Sequence, residues 1–197
     1  MLYRMFRFGF RLLFRLVYRW EIRGAEHVPS EGAVVVCCNH INNLDPPLLG
    51  SALERPIRFM AKEELFKIPV LSFLIRRFGA FPVNRGAADK RAVKQALTFL
   101  KQGEVLGVFP EGTRSRTGEL GAGHTGAAFI ALKGKAQVVP AAVIGPYRPF
   151  RSVRIVFGPP LDLTGYRDQK WTSQSLRKVT DRIMNEIGTL RAENHSK

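Results

Sequence analysis

Short apolar runs that end on turn formers constrain this chain more than any other feature. Val34-Val35-Val36-Cys37-Cys38 is a brief, β-branched, unbroken apolar run, which reads as a buried strand. The Asn- and Pro-rich stretch behind it, Asn39-His40-Ile41-Asn42-Asn43-Leu44-Asp45-Pro46-Pro47, reads as a turn feeding a helix that starts on the prolines and runs to about residue 54. The same alternation continues. Strands are expected at 57–61, at Val105-Leu106-Val108, at 137–144 and at 153–157. Helices are expected at 62–78, at 87–102 with Gly103 as stop signal, at 126–133, and around Val179, Ile183, Ile187 and Leu190. Residues 21–32 read as a short strand and a turn, and 191–197 as a frayed tail. Strands alternating with helices predict an α/β fold, a single domain with a mixed, largely parallel sheet flanked by helices. A chain of 197 residues without internal repeat or linker is one domain of ordinary size.

Three of the turns carry chemistry. His40 and Asp45 stand at a strand's carboxyl end, where open α/β sheets hold ligands. Histidine exchanges protons near neutral pH. A carboxylate on one ring nitrogen fixes the tautomer and leaves the other as base. Five positions apart, the two residues lie on different faces of a regular helix, so their pairing needs the turn. The plainer alternative is a surface histidine with Asp45 capping the next helix. The second turn, Phe109-Pro110-Glu111-Gly112-Thr113-Arg114-Ser115, combines an acid, hydroxyls and a cation. Gly112 permits tight backbone geometry with N–H groups turned toward a cavity, and Arg114 offers the planar fork that matches phosphate. The third, Gly79-Ala80-Phe81-Pro82-Val83-Asn84-Arg85, places another arginine at a strand end. For both arginines the alternative is a surface ion pair.

These segments resemble the glycerolipid acyltransferases, the family that includes the 1-acylglycerol-3-phosphate acyltransferases. Asn39, His40 and Asp45 match the N-H-x4-D block; Gly79, Phe81 and Arg85 match the second block. Phe109 to Ser115 match F-P-E-G-T-R-S without a mismatch, and Val139-Pro140 match a Val-Pro step in an apolar strand. The resemblance implies transfer of a fatty acyl group from a thioester, on coenzyme A or acyl carrier protein, to the sn-2 hydroxyl of lysophosphatidic acid, giving phosphatidic acid. It implies His40 as general base oriented by Asp45, and Arg85, Glu111, Gly112, Thr113 and Arg114 as substrate-binding residues, with Glu111 set against Arg114 or a substrate hydroxyl. Asn39, Ser115 and Pro140 are expected in support. No resident cofactor is implied. A metal site is not expected, because His40, Asp45 and His124 have no familiar ligand spacing. Cys38, next to the motif, is expected to be core and not a nucleophile. The chain departs from the family at Gly123-His124-Thr125-Gly126, where a Phe-Lys-x-Gly step is common.

Charge narrows the partners. Thirty-one Lys+Arg against 16 Asp+Glu give +15, which calls for a polyanion. Arginines at 4, 7, 11, 15 and 19 punctuate an otherwise apolar, aromatic segment and fall on an arc about 120° wide at helical spacing. Charges threaded through it are wrong for a signal peptide and for a spanning helix. Residues 1–20 therefore read as an amphipathic helix lying in a membrane interface with its Arg stripe at anionic head groups, ahead of an acyltransferase domain at 21–197. A helix docked on the core with its Arg face in water is the competing arrangement. The expectation is a peripheral protein on the cytoplasmic face of an anionic membrane, without a nucleic-acid partner. The alternatives are an acceptor other than lysophosphatidic acid, or a non-enzymatic basic protein that binds membranes or nucleic acid.

Overall fold

The computed structural model describes residues 2–84, 89–167 and 169–195. Helix α1 (Leu2–Val17) leads into strand β1 (Arg19–Arg23), then β2 (Val34–Cys38), α2 (Asp45–Ala52) and β3 (Ile57–Lys62). Helix α3 (Pro69–Arg77), β4 (Ala80–Val83), α4 (Lys90–Lys101), β5 (Val105–Val108) and α5 (Gly126–Lys133) follow. The chain closes with β6 (Gln137–Ile144), β7 (Ser152–Phe157), the short α6 (Thr164–Arg167) and α7 (Ser173–His195).

All seven strands join one sheet in the order β1-β7-β6-β2-β5-β3-β4. Every pairing is parallel except β6 with β7. The fold is a single α/β domain with a mostly parallel sheet, and β2 lies between β5 and β6. Parallel strands are covered on both faces, and β2 shows how. Val34, Val36 and Cys38 pack with α1, α2 and Phe78, while Val35 and Cys37 pack with α4, α5 and α7. All five β2 residues are buried.

Several expected boundaries move. No single helix covers 62–78: β3 extends through Lys62, a 3-10 turn spans Glu63–Lys67, and α3 begins at Pro69. Proline lacks an amide to continue a preceding helix and disfavours helical backbone in the residue before it. Ile68 accordingly is extended at φ −91°, ψ 110°. Helix α4 starts behind Asp89, whose carboxylate accepts from the amides of Arg91 and Ala92; residues 87–88 of the expected helix lie outside the described residues. The tail expected to fray at 191–197 is helical to His195. It is tied down by Arg191 to Gly118 O, and by Arg154 Nη1 to Asn194 O at 2.7 Å.

Helix α1 combines the two arrangements open from sequence. Tyr3, Phe6, Phe10 and Phe14 share one face at helical spacing and pack into the core with α2 and Phe78; Phe14 is fully buried. Met5, Phe8, Leu12, Leu13 and Leu16 form an exposed apolar face, with Phe8 70% and Leu16 67% exposed. The Arg stripe is only partly open. Arg7 Nη1 donates to Leu53 O at 3.0 Å and Arg11 Nε to Ser51 O at 2.7 Å, so both serve the carbonyls at the end of α2. Both also reach Glu54. Arg19 lies on β1, past the helix end at Val17. Among the described residues, no helix is long and apolar enough to cross a membrane. Because Phe14 fills the space between α1 and the sheet, Phe14→Ala is expected to lower stability by about 3–5 kcal/mol. Chemical denaturation of the full chain measures it, and a loss below about 1 kcal/mol contradicts this docking.

Candidate active site

Three neighbouring strands end together. The segments after β2, β5 and β6 leave the same edge of the sheet, because these strands are parallel and adjacent. The first carries His40 and Asp45, the second Glu111 to Ser115, and the third Tyr147.

His40 Nδ1 lies 2.7 Å from Asp45 Oδ2. An ionised carboxylate only accepts, so Nδ1 carries the proton and Nε2 of the neutral ring keeps its lone pair. Four intervening residues are needed because they form a loop around the carboxylate. The amides of Ile41 and Asn42 also donate to Asp45 Oδ2, both at 2.7 Å, and Asn42 Oδ1 accepts from Leu44 N at 3.0 Å. Asp45 opens α2, but the next two residues are prolines with no amide to cap. Its carboxylate turns back into the loop instead. Asp45 Oδ1 accepts the Tyr147 hydroxyl at 2.7 Å. Burial first, and then the negative charge of Asp45, push the Tyr147 phenol well above its ordinary range, so it stays a donor.

The His40 ring stacks on Phe109 with centroids 4.2 Å apart. No described residue hydrogen-bonds its Nε2, and 8% of the side chain remains exposed against 0% for Asp45. The ring is thus nearly enclosed but not sealed.

Backbone bonds hold His40 from both sides. Its amide donates to Glu111 Oε1 at 2.8 Å, and its carbonyl accepts from Ser115 N at 2.8 Å. The other Glu111 oxygen accepts from Gly121 N at 2.9 Å. A Cβ at Gly121 would stand 3.1 Å from that oxygen. Glu111 therefore differs from its expected contact with Arg114 or substrate: it is buried and braces two loops. Gly112 sits at φ +69° beneath the His124 ring, and its neighbours Thr113 and Arg114 are exposed. Among the described residues no carboxylate is within ion-pair distance of Arg114. Ser115 Oγ accepts from Gly118 N at 3.0 Å and closes the turn.

Asn39 and Pro140 belong to the sheet. Asn39 Nδ2 donates to Val143 O at 2.9 Å and its Oδ1 accepts from Val143 N at 2.7 Å, so a side chain continues the β2–β6 pairing past the end of β2. Pro140 lies opposite Cys37, four residues before the end of β6 and so about 13 Å back from the site edge. Arg85 lies outside the described residues. The strand leading toward it, β4, is two positions beyond β5, about 10 Å across the sheet. Both cysteines are buried; burial pushes the Cys37 thiol up to about 12. Burial and then Asp45 push Cys38 well above its usual range, which makes it a poor nucleophile. Among the described residues no His/Cys/Asp/Glu group could hold a metal ion.

Sequence reasoning did not single out Tyr147. The signal available was a Gly-Pro-Tyr step closing a strand; what made it relevant, β6 lying beside β2, is a matter of strand order.

The chain is similar to known proteins. A sequence model of the Acyltransferase family matches residues 19–144. The chain is 37% identical over 127 residues to a 1-acyl-sn-glycerol-3-phosphate acyltransferase of Bacillus subtilis (strain 168), covering 64% of this chain and 63% of that one. It is 31% identical over 125 residues to a lyso-ornithine lipid O-acyltransferase of Pseudomonas aeruginosa, covering 63% of this chain and 47% of that one. The chain thus spans less than two thirds of the length of either relative. The crystal structure of the 1-acyl-sn-glycerophosphate (LPA) acyltransferase from Thermotoga maritima superimposes with a TM-score of 0.77 at 28% identity, over 99% of this chain and 81% of that one.

Since Glu111 links the His40 and Gly121 amides, Glu111→Ala leaves the buried His40 amide unpaired and releases the exposed Gly121 amide to solvent. A stability loss of about 1–3 kcal/mol is expected in urea denaturation; unchanged unfolding together with full activity rules out the brace.

Proposed function

The chain belongs to the acyltransferase family, and from that premise we propose that it acylates the sn-2 hydroxyl of lysophosphatidic acid from an acyl thioester, releasing phosphatidic acid. The observation that carries this reading is the His40–Asp45 pair with a fixed Nδ1 tautomer beside the Glu111–Ser115 loop. An alcohol is a weak nucleophile until its proton is drawn off. In this reading His40 Nε2 takes that proton as the hydroxyl oxygen forms a bond to the thioester carbonyl carbon. The carbon–sulfur bond then breaks, and the thiolate leaves with the proton returned by the imidazolium. The thioester is already activated, so no covalent enzyme intermediate is required. Coenzyme A and acyl carrier protein both suit the reaction as acyl carriers.

Arg114, with the Thr113 hydroxyl and the backbone at Gly112, is assigned to the acceptor's phosphate, and Arg85 joins them as a second cation. Glu111 acts through the His40 backbone. His40→Ala is expected to reduce acyl transfer to lysophosphatidic acid by at least about a thousandfold, the scale seen when a general base is lost. A radiolabelled acyl-transfer assay reads the outcome, and activity within tenfold of the wild type would falsify the assignment. The lyso-ornithine lipid relative supports a second reading, in which the same hydroxyl chemistry serves another lysolipid. A panel of acceptors separates the two.

The same protein is proposed to work at a membrane surface, on the cytoplasmic face and without crossing it. Support comes from the net charge of +15 and the exposed apolar face of α1. Helix α3 adds a second such face, with Val70 73% and Phe73 52% exposed. Truncating α1 would strip Phe14 from the core, so substitution is the cleaner probe. Replacing Phe8 and Leu16 by Gln is expected to weaken sedimentation with phosphatidylglycerol vesicles by about tenfold or more. The melting temperature should hold, since both side chains are exposed. Equal vesicle binding by the variant counts against the interfacial helix.

A further inference from the structure

The hydrogen-bonded line through His40 and Asp45 ends on a phenol. We infer that Tyr147 is a positioning residue that acts on the base through Asp45: its hydroxyl binds the second oxygen of the carboxylate and takes up part of its charge, which limits the pull of that charge on a proton at His40. The kinetic part of this inference rests on the acyl-transfer reading above.

The bonds around Asp45 are lopsided. Its Oδ2 receives three donors, His40 Nδ1, Ile41 N and Asn42 N, all from one short loop. Three donors on Oδ2 fix that oxygen, and with it the carboxylate plane, so what a partner on Oδ1 adds is relief of charge. Oδ1 has one described partner, the Tyr147 hydroxyl at 2.7 Å. The His40 ring is turned by its bond to Oδ2 and by its stack on Phe109, and the charge left on the carboxylate decides how strongly that ring holds a second proton.

Contacts other than this bond hold the Tyr147 ring. It stands edge-on to Tyr18, with centroids 5.8 Å apart and planes at 88°. Tyr18 in turn lies beside Phe14 at the end of α1, at 6.0 Å. The segment carrying Tyr147 is pinned there too, by Phe150 N to Val17 O at 2.7 Å. The hydroxyl is thus delivered to Asp45 by packing against the first helix and does not drift to wherever a bond can be found.

Ionisable groups face this centre from every side. Asp45, Cys38 and Tyr18 surround the phenol. Glu111 lies on the other side of His40, on its amide, and Asp45 and Glu111 both bear on Cys38. Asp45 and Glu111 are the acidic groups in this set, so the carboxylate charge is relieved by hydrogen-bond donors. Deleting the hydroxyl leaves Oδ1 without its described donor in a residue with no exposed surface. The less compensated negative charge favours the imidazolium beside it. The ring then keeps its proton to higher pH, so the base is lost first at the acid end and recovers as pH rises.

Tyr147→Phe in the full chain removes one oxygen and keeps the ring. Three measurements decide the role: acyl transfer to lysophosphatidic acid across pH, the melting temperature, and the downfield proton resonance of His40 Nδ1–H, assigned by its absence in His40→Ala. The expected result is a kcat about tenfold lower at the acid end, with the loss shrinking toward alkaline pH. KM for both substrates should stay within about twofold. The resonance should move downfield as the His40–Asp45 bond tightens. An unmoved resonance with a pH profile parallel to the wild type overturns the inference. A loss equal at every pH with a lower melting temperature overturns it as well, and leaves the phenol as a packing group. Absence of acyl transfer in the wild type defeats the proposed function, and the resonance alone then decides for or against Tyr147.

Discussion

A carboxylate with no contact with water governs this site. Asp45 is fully buried, and an uncompensated charge in such a place is costly enough to unfold a marginal structure. It is tolerated because the chain surrounds it with donors: two amides and an imidazole of its own loop, and a phenol from the segment after β6, the strand beside β2. The spacing of His40 and Asp45 follows from that need. A shorter loop has too few amides to turn inward, and a regular helix separates the two side chains. The prolines after Asp45 deny the carboxylate a forward partner, so capping the helix does not compete with holding the His40 ring.

A second buried carboxylate works from outside the loop. Glu111 reaches the His40 amide with one oxygen and Gly121 with the other, and Ser115 returns a bond to the His40 carbonyl. The loop after β5 therefore holds the backbone of His40, while Asp45 holds its ring. The segments after β2 and β5 are therefore one mechanical unit. Thr113 and Arg114 project from that unit into solvent, while Phe109 of the same loop stacks on the His40 ring. Rigid support with exposed tips is the arrangement that binding chemistry requires.

Helix α1 joins two tasks that compete for surface. Its aromatic face gives the sheet a cover, its opposite apolar face stays open, and two of its arginines satisfy the end of α2. The arginines look alike in sequence, yet their partners differ because α2 happens to end beneath Arg7 and Arg11. Through Phe14 and Tyr18 the same helix also supports the ring of Tyr147. A segment facing outward is thus in packing contact with the residue that bonds Asp45.

Much of this was legible in one dimension. Local chemistry determines where β2 and β6 run, because short apolar stretches rich in valine and isoleucine favour a buried strand. Local chemistry also sets the turns, since Asn, Pro and Gly prescribe backbone angles whatever surrounds them. His40, Asp45 and the Phe109–Ser115 segment stand out for that reason. Short-range patterns fail where a proline splits an apolar stretch, as at Ile68-Pro69, and where a helix end is held from far away, as at Arg191. The pairing of His40 with Asp45, the turning of Glu111 to backbone amides, the arrival of Tyr147 and the division of labour among the arginines were decided only in three dimensions. Each depends on which strands lie side by side, and strand order follows from the packing of the whole sheet, which no local run of residues contains.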